Sequence, residues 1–304
     1  MKIAVIGGAG FIGSRLIDEL QHLKIGDVTN IDVKENPSCK NFICDVLDSK
    51  QLNCLLSGFD YVYLLSAVSE ASRNTSDPVN SMNLNIMGTV NVLEACVQNK
   101  VKKIIFASTA WIYDMCDDLN VTEDTPLSQT LRSNLYTTSK VCGESLIKSY
   151  NQTFGLGYTI LRFGTAYGPN CNPRTAVASF VKNADSGLDI KINGNGEGFR
   201  SFMHVSDHVK SLVLSITTDI SKNETINVDG PDKVSLNQIV EMLKEYYPNL
   251  NVQYVPSSLP EYKGKNVDCS KARKILGFVP SVNFKEGLRD YVQWFKNTNS
   301  SSAR

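Results

Sequence analysis

Met1-Lys-Ile-Ala-Val-Ile-Gly-Gly-Ala-Gly-Phe-Ile-Gly13 joins a short apolar run to a cluster of glycines. Ile3, Val5 and Ile6 predict a buried strand that the glycines stop. Phe11, Ile12, Leu16, Leu20 and Leu23 then recur at helical spacing. The glycines therefore occupy a strand-to-helix turn, where backbone N–H groups and a helix N-terminus can hold a pyrophosphate. Two registers fit the turn, Gly8-x-Gly10-x-x-Gly13 and Gly7-x-x-Gly10-x-x-Gly13. Either outlines a dinucleotide site, and a glycine-rich turn without a ligand is the plainer alternative.

Downstream, Val28–Asp32 reads as a second strand ending in a carboxylate 19 residues beyond Gly13. An acid there accepts hydrogen bonds from both adenosine ribose hydroxyls and repels a 2′-phosphate, which favours NAD over NADP. Asn41–Cys44 predicts a third strand, followed by Asp45, Val46 and a helix that Asp48 caps. Phe59–Leu65 is nearly continuously apolar, as expected of a parallel strand covered on both faces. Ser66-Ala67-Val68 opens a polar loop that ends at Asp77-Pro78. The helix expected over Asn83–Val97 is apolar around most of its circumference and calls for cover on both sides. A second copy of the chain is one candidate for that cover, so the expected state is a homodimer. Val101–Ser108 supplies a fifth strand. Strands alternating with helices make the expected fold α/β, a Rossmann-type doubly wound parallel sheet.

The 304 residues carry 31 Lys plus Arg and 31 Asp plus Glu. No global field draws such a chain to nucleic acid or to an anionic membrane, so the expected ligand is a small molecule. The eight cysteines form no Cys-x-x-Cys pair and read as reduced thiols. With no cleavable signal or bilayer-length apolar run, the expected location is cytoplasmic.

Ser108-Thr109 stands at the C-terminal end of the fifth strand, where such sheets open their ligand crevice. Tyr136 and Lys140, four apart at the start of a helix reaching about Phe154, share one face. A phenol is a poor base at neutral pH, but a lysine ammonium and an oxidised nicotinamide nearby both favour the phenolate. Tyr136 can then exchange a proton with a substrate hydroxyl that Thr109 also holds. In isolation Tyr-x-x-x-Lys is more often a solvated pair; here it follows a glycine turn, a ribose acid and a strand-end Ser-Thr in the order one fold requires.

Taken together these stretches resemble the extended short-chain dehydrogenase/reductases, in particular the NAD-dependent nucleotide-sugar epimerases and dehydratases of the UDP-glucose 4-epimerase type. The likeness runs through Gly7–Gly13 in the Gly-x-x-Gly-x-x-Gly register, Asp45-Val46, Ser66-Ala67, Asn85–Thr89, Ser108-Thr109, Tyr136-x-x-x-Lys140, Leu161-Arg-Phe, Tyr167-Gly-Pro169 and Ser270-Lys-Ala272. It implies a catalytic set of Thr109, Tyr136 and Lys140. It implies NAD held by Gly7, Gly10, Phe11, Ile12, Gly13, Asp32, Asp45, Val46, Ser66, Ala67, Asn85, Tyr136 and Lys140. Residues 1–168 would form the NAD-binding domain, receiving parts of 204–230 and 284–297. Residues 169–283 would form most of a smaller C-terminal α/β substrate domain, and 297–304 a flexible tail. Phe284–Phe295 reads as a final helix returning to the large sheet.

The resemblance further implies a nucleotide-sugar substrate met by Thr109, Ala110, Trp111, Thr165, Arg174 and Arg200, with Arg200 on the diphosphate. Lys263 or Lys265 stands in for a usual arginine near the nucleotide. No metal is expected: His204 and His208 flank Asp207, but Phe202–Val205 reads as extended and offers no further ligands, and in the family the Asp caps a helix. Sugar-nucleotide dehydratases of this type follow the Thr with Asp-Glu, and the related decarboxylases also place Glu second. Ala110 and Trp111 stand there instead and exchange no proton. The expected reaction is epimerisation, most often at C4, through a transient ketone. An NAD(P)H-dependent reductase of a 4-keto nucleotide sugar needs the same residues, and a silent NAD-sensing binding protein is the reading from another class.

Overall fold

The computed structural model describes residues 1–128, 134–256 and 264–302; Lys263 lies outside the described residues. The first half runs β1 (Lys2–Ile6), α1 (Phe11–His22), β2 (Asp27–Asp32), β3 (Lys40–Ile43), α2 (Ser49–Leu55), β4 (Tyr61–Leu64), α3 (Ala71–Ser76), α4 (Pro78–Met82), α5 (Gly88–Gln98), β5 (Lys103–Thr109), β6 (Asn120–Val121), α6 (Leu135–Phe154) and β7 (Gly157–Phe163). The second half runs β8 (Thr165–Tyr167), α7 (Ala176–Asp185), β9 (Ile190–Asn193), β10 (Phe199–His204), α8 (Val205–Thr217), β11 (Glu224–Val228), β12 (Lys233–Ser235), α9 (Leu236–Lys244), β13 (Val252–Val255), β14 (Asn266–Val267), α10 (Ser270–Leu276) and α11 (Phe284–Ser302).

Seven strands form one sheet in the order β11-β7-β5-β4-β1-β2-β3, all paired in parallel. The chain winds outward from β1 to β3 on one side and from β4 to β11 on the other. The order reverses between β1 and β4, and a ligand crevice opens at the C-terminal ends of these strands. One face buries Leu16, Ile17 and Leu20 of α1 with Leu212 and Ile216 of α8. The other buries Leu52 of α2, Val92 and Leu93 of α5, and Ile147 of α6. Burial on both faces explains why β7 is buried at every position, Thr159 and Arg162 included. Among the described residues no helix is long and apolar enough to cross a membrane.

The smaller unit holds a three-stranded sheet, β12-β10-β8, and the parallel pair β13-β9. Its own core joins Tyr167, Val181, Ile192, Phe202, Ile239 and Leu243.

Three local expectations change. The helix read over Asn83–Val97 opens with a π-helical turn at Asn83–Met87 before α5. Much of the cover its apolar faces need is supplied within the chain by α2 and α6, which share a core with it. Helix α11 does not return to the large sheet: Phe284, Leu288, Tyr291 and Val292 enter the smaller core. It also continues through 297–302, where the sequence predicts a tail; amphipathic periodicity specifies an apolar face but not which core receives it.

Candidate active site

The glycine turn closes because three of its positions have no room for a side chain. Gly7 has φ +89°, and a Cβ there would stand 2.6 Å from the Ser66 nitrogen. A Cβ on Gly13 would stand 2.2 Å from the Gly7 carbonyl oxygen. Gly8 is equally confined, but by Asn30 and by Ile17 of α1, so it serves helix-to-sheet packing. Gly7, Gly10, Phe11, Ile12 and Gly13 line the crevice, which matches the Gly7-x-x-Gly10-x-x-Gly13 register. Gly10 caps α1 without a side-chain hydrogen bond, leaving the first N–H groups of the helix for an anion. Asp32 sits beside the turn and accepts from the Ala9 N–H at 3.1 Å. A tight cradle of backbone donors with a carboxylate at the end of the next strand fits a dinucleotide.

Asp32, Ser66 and Ala67 also line this crevice of about 520 Å³, as do Thr109, Trp111, Tyr136, Lys140 and Thr165. Asp45, Val46 and Asn85 do not. Asp45 is exposed and accepts from the Leu47 N–H, while Val46 packs against the α carbon of Gly88. Asn85 is buried, accepts from the Val68 N–H at 2.8 Å, and donates to the Val68 carbonyl and to Ser139. Its amide holds the loop after β4 against α6. The geometry thus gives Asn85, which sequence position suggested as a ligand contact, a positioning role behind the crevice wall as well.

Thr109 ends β5, and its hydroxyl accepts from the Trp111 N–H at 3.2 Å, capping a short 3-10 turn. Tyr136 stands in the first turn of α6, which Asn134 caps. One turn on, Lys140 Nζ donates to the Ala107 carbonyl of β5 at 2.7 Å and lies 5.7 Å from the centre of the Tyr136 ring. Burial pushes the Tyr136 phenol up to about 12 and pulls the Lys140 ammonium down to about 8, against the upward pull of Glu144. In the protein without its cofactor, desolvation opposes the ionisation that the neighbouring Lys140 cation favours.

On the substrate side, the Trp111 indole N–H donates to the Thr165 hydroxyl at 3.4 Å, and the Arg200 guanidinium lies 5.1 Å over the Trp111 ring. Ala110, Trp111, Thr165, Arg200 and Lys265 line a small side cavity off the crevice. Lys265 is spent on the carbonyls of Cys116 and Asp118. Arg174 is not among the lining residues and is ion-paired with Glu70 at the surface. His204, not Asp207, caps α8, accepting from the Ser206 N–H. Asp207 is fully buried and accepts from the N–H groups of Ser281 and Val282. His208, also fully buried, stacks edge-on against Phe163 and lines the crevice. Burial draws its imidazole down to about 4, so it is neutral. Sequence reading weighed His208 only as a metal ligand beside His204, and it passed over Asp229, which belongs to no spacing that signals a ligand.

Comparison with known proteins agrees with this geometry. Residues 3–229 match the model of the NAD dependent epimerase/dehydratase family. A Bacillus subtilis (strain 168) protein described as an uncharacterized UDP-glucose epimerase is 29% identical, with 98% of each chain covered. Among solved structures, UDP-glucose 4-epimerase of Thermotoga maritima with UDP-glucose superposes at a TM-score of 0.91 with 28% identity, covering 98% of this chain and all of the other. UDP-glucuronic acid 4-epimerase of Bacillus cereus, solved with UDP-glucuronic acid and NAD, superposes at 0.90 with 29% identity and the same coverage. The chain belongs to the NAD-dependent epimerase/dehydratase family, extended short-chain dehydrogenase/reductase enzymes that act on nucleotide sugars.

Proposed function

We propose that the protein epimerises a nucleotide sugar at C4 through a transient 4-keto sugar, with Tyr136 as the acid and base. One observation supports this above the others. Thr109, Tyr136 and Lys140 line the same crevice as the glycine turn, while Ala110 and Trp111, which exchange no proton, follow Thr109.

NAD held on the glycine turn would supply a reversible hydride acceptor for the carbinol carbon. Tyr136, as phenolate, accepts the hydroxyl proton while the ring carbon becomes a ketone, and returns it when the ketone is reduced from the opposite face. Lys140, fixed to Ala107 of β5, keeps a cation beside the phenol. Thr109 donates to the same oxygen and fixes its distance from Tyr136. The glycine turn and Asp32 hold the dinucleotide, and Arg200 over Trp111 meets the diphosphate of the sugar nucleotide.

The test is incubation of the protein and NAD with a panel of UDP- and dTDP-sugars, followed by NMR of the anomeric protons. The expected result is interconversion of one pair of C4 epimers without net NADH formation. A dehydrated 4-keto-6-deoxy product, or stoichiometric consumption of NAD(P)H with a 4-keto sugar, would overturn it.

A further inference from the structure

The chain crosses between the two units at neighbouring points: β7 passes into β8 at Gly164, and β11 passes toward β12 at Asp229-Gly230. These crossings touch. The Gly164 N–H donates to the Val228 carbonyl, and a Cβ on Gly164 would lie 1.8 Å from Asp229 Oδ1. The Asp229 carboxyl therefore rests directly on the Gly164 backbone. Its Oδ1 accepts from the Gly230 N–H at 2.8 Å, and Ser201 lies beside the carboxyl and lines the same side cavity. Gly164 precedes Thr165 and Ser201 follows Arg200, so one buried carboxyl lies beside the immediate neighbours of both substrate-side residues. Asp229 lines the side cavity with Arg200, Trp111 and Thr165.

We propose that Asp229 is a positioning residue of the substrate subsite, seating Thr165 and Arg200 through Gly164 and Ser201 and, by its charge, deciding which way the Arg200 guanidinium turns. The proposal rests on the reading above, in which Arg200 meets the substrate diphosphate. A neutral carboxyl leaves Arg200 stacked on Trp111. A carboxylate in this enclosed site attracts the guanidinium and repels the diphosphate, and both effects weaken substrate binding. Burial lifts this carboxyl to about 7, against the hydrogen bond from Gly230, the nearby Ser201 hydroxyl and the charge of Lys233. The other titratable groups around it are Arg200 from β10, Lys265 beside β14 and the Cys269 thiol before α10, itself held neutral by burial; Gly164 brings none.

Trp111 and Trp294 are the two tryptophans of the chain, so Trp294→Phe leaves emission that belongs to Trp111. In that background, without ligand, the emission should change between pH 6 and pH 8, and the change should vanish when Asp229→Asn is added. UDP-glucose, whose diphosphate keeps a constant charge over this range, should bind about tenfold more weakly at pH 8 than at pH 6. That dependence should also disappear in Asp229→Asn, while Asp229→Ala should bind UDP-glucose weakly at both pH values. Emission that is flat with pH in the Trp294→Phe protein, or a transition that survives Asp229→Asn, would overturn the proposal. Absence of UDP-glucose binding at every pH would count against the nucleotide-sugar reading, while the ligand-free emission still decides on Asp229.

Discussion

Arg162 and Glu144 form a buried fork: Nη2 donates to Oε2 at 2.8 Å and Nε to Oε1 at 3.0 Å, with both side chains 5% exposed. Glu144 stands one helical turn beyond Lys140 and two beyond Tyr136 on α6, while Arg162 belongs to β7. Glu144 also accepts from the hydroxyl of Ser108, the residue before Thr109, at 2.6 Å. On the far side Arg162 donates to the Tyr113 hydroxyl, which donates to Asn227 of β11. One charge-assisted network thus registers α6 against three strands and sets the separation of Thr109 from Tyr136 and Lys140.

Removing the carboxylate leaves the guanidinium buried without its ion partner. Glu144→Ala should cost about 3–5 kcal/mol of stability, read as a lower urea midpoint at unchanged slope. At temperatures where the variant stays folded, kcat should fall more than KM rises, because the network orders the reacting groups. A stability loss below about 1 kcal/mol would mean that the fork behaves as a surface pair.

Tyr136→Phe deletes only the hydroxyl and keeps the ring packed against the crevice wall. Turnover should fall by about 10²–10⁴-fold, the usual contribution of a positioned acid and base. NAD affinity measured by calorimetry should change little. Retention of full turnover would remove Tyr136 from the proton-transfer role.

The glycine turn offers a test that is independent of the chemistry. A Cβ at Gly13 would meet the Gly7 carbonyl at 2.2 Å and the Gly8 α carbon at 2.8 Å, both backbone, so α1 must move away from β1. Gly13→Ala should weaken NAD binding by more than tenfold and destabilise the fold by about 1–3 kcal/mol. Gly155→Ala is the control: nothing lies within 4 Å of its Cβ and only φ +73° opposes it, so it should lose about 1 kcal/mol and no NAD affinity.

The sheet and the cofactor side of the site were legible because their signals are local. Gly7, Gly10 and Gly13 read as a turn from the strand before and the helix after them, and Tyr136 and Lys140 share a face by spacing alone. Residues that act through distant partners were not legible. Nothing near Glu144 announces Arg162, nothing near Asp229 announces Gly164, and Asn85 carries a motif whose role only the Val68 contact defines. The destination of α11 was equally hidden, since its apolar stripe fits either core. The desolvation that opposes ionisation of Tyr136 was hidden for the same reason: two charges can be counted along a chain, whereas desolvation depends on everything packed around them.

Lys140 brings that desolvation into a stability measurement. Its ammonium is pulled from 10.5 to about 8 in the native protein, chiefly by burial. Between those values the unfolded chain binds more protons than the native one, so stability rises with pH across the window. Below about pH 8 the buried charge carries its full penalty, on the order of a few kcal/mol at roughly 1.4 kcal/mol per pH unit. Lys140→Met keeps the length of the side chain and removes the charge, losing the charge-assisted bond to Ala107 at a cost of about 1.5–3 kcal/mol that offsets part of the gain. The ligand-free variant should therefore be more stable than the parent at pH 7, and the gain should shrink steadily from pH 8 to pH 10, while turnover is lost. Urea unfolding at pH 7 and pH 10 reads both arms. A stability difference between the two proteins that does not vary with pH would show that the cation at this site is solvated rather than buried.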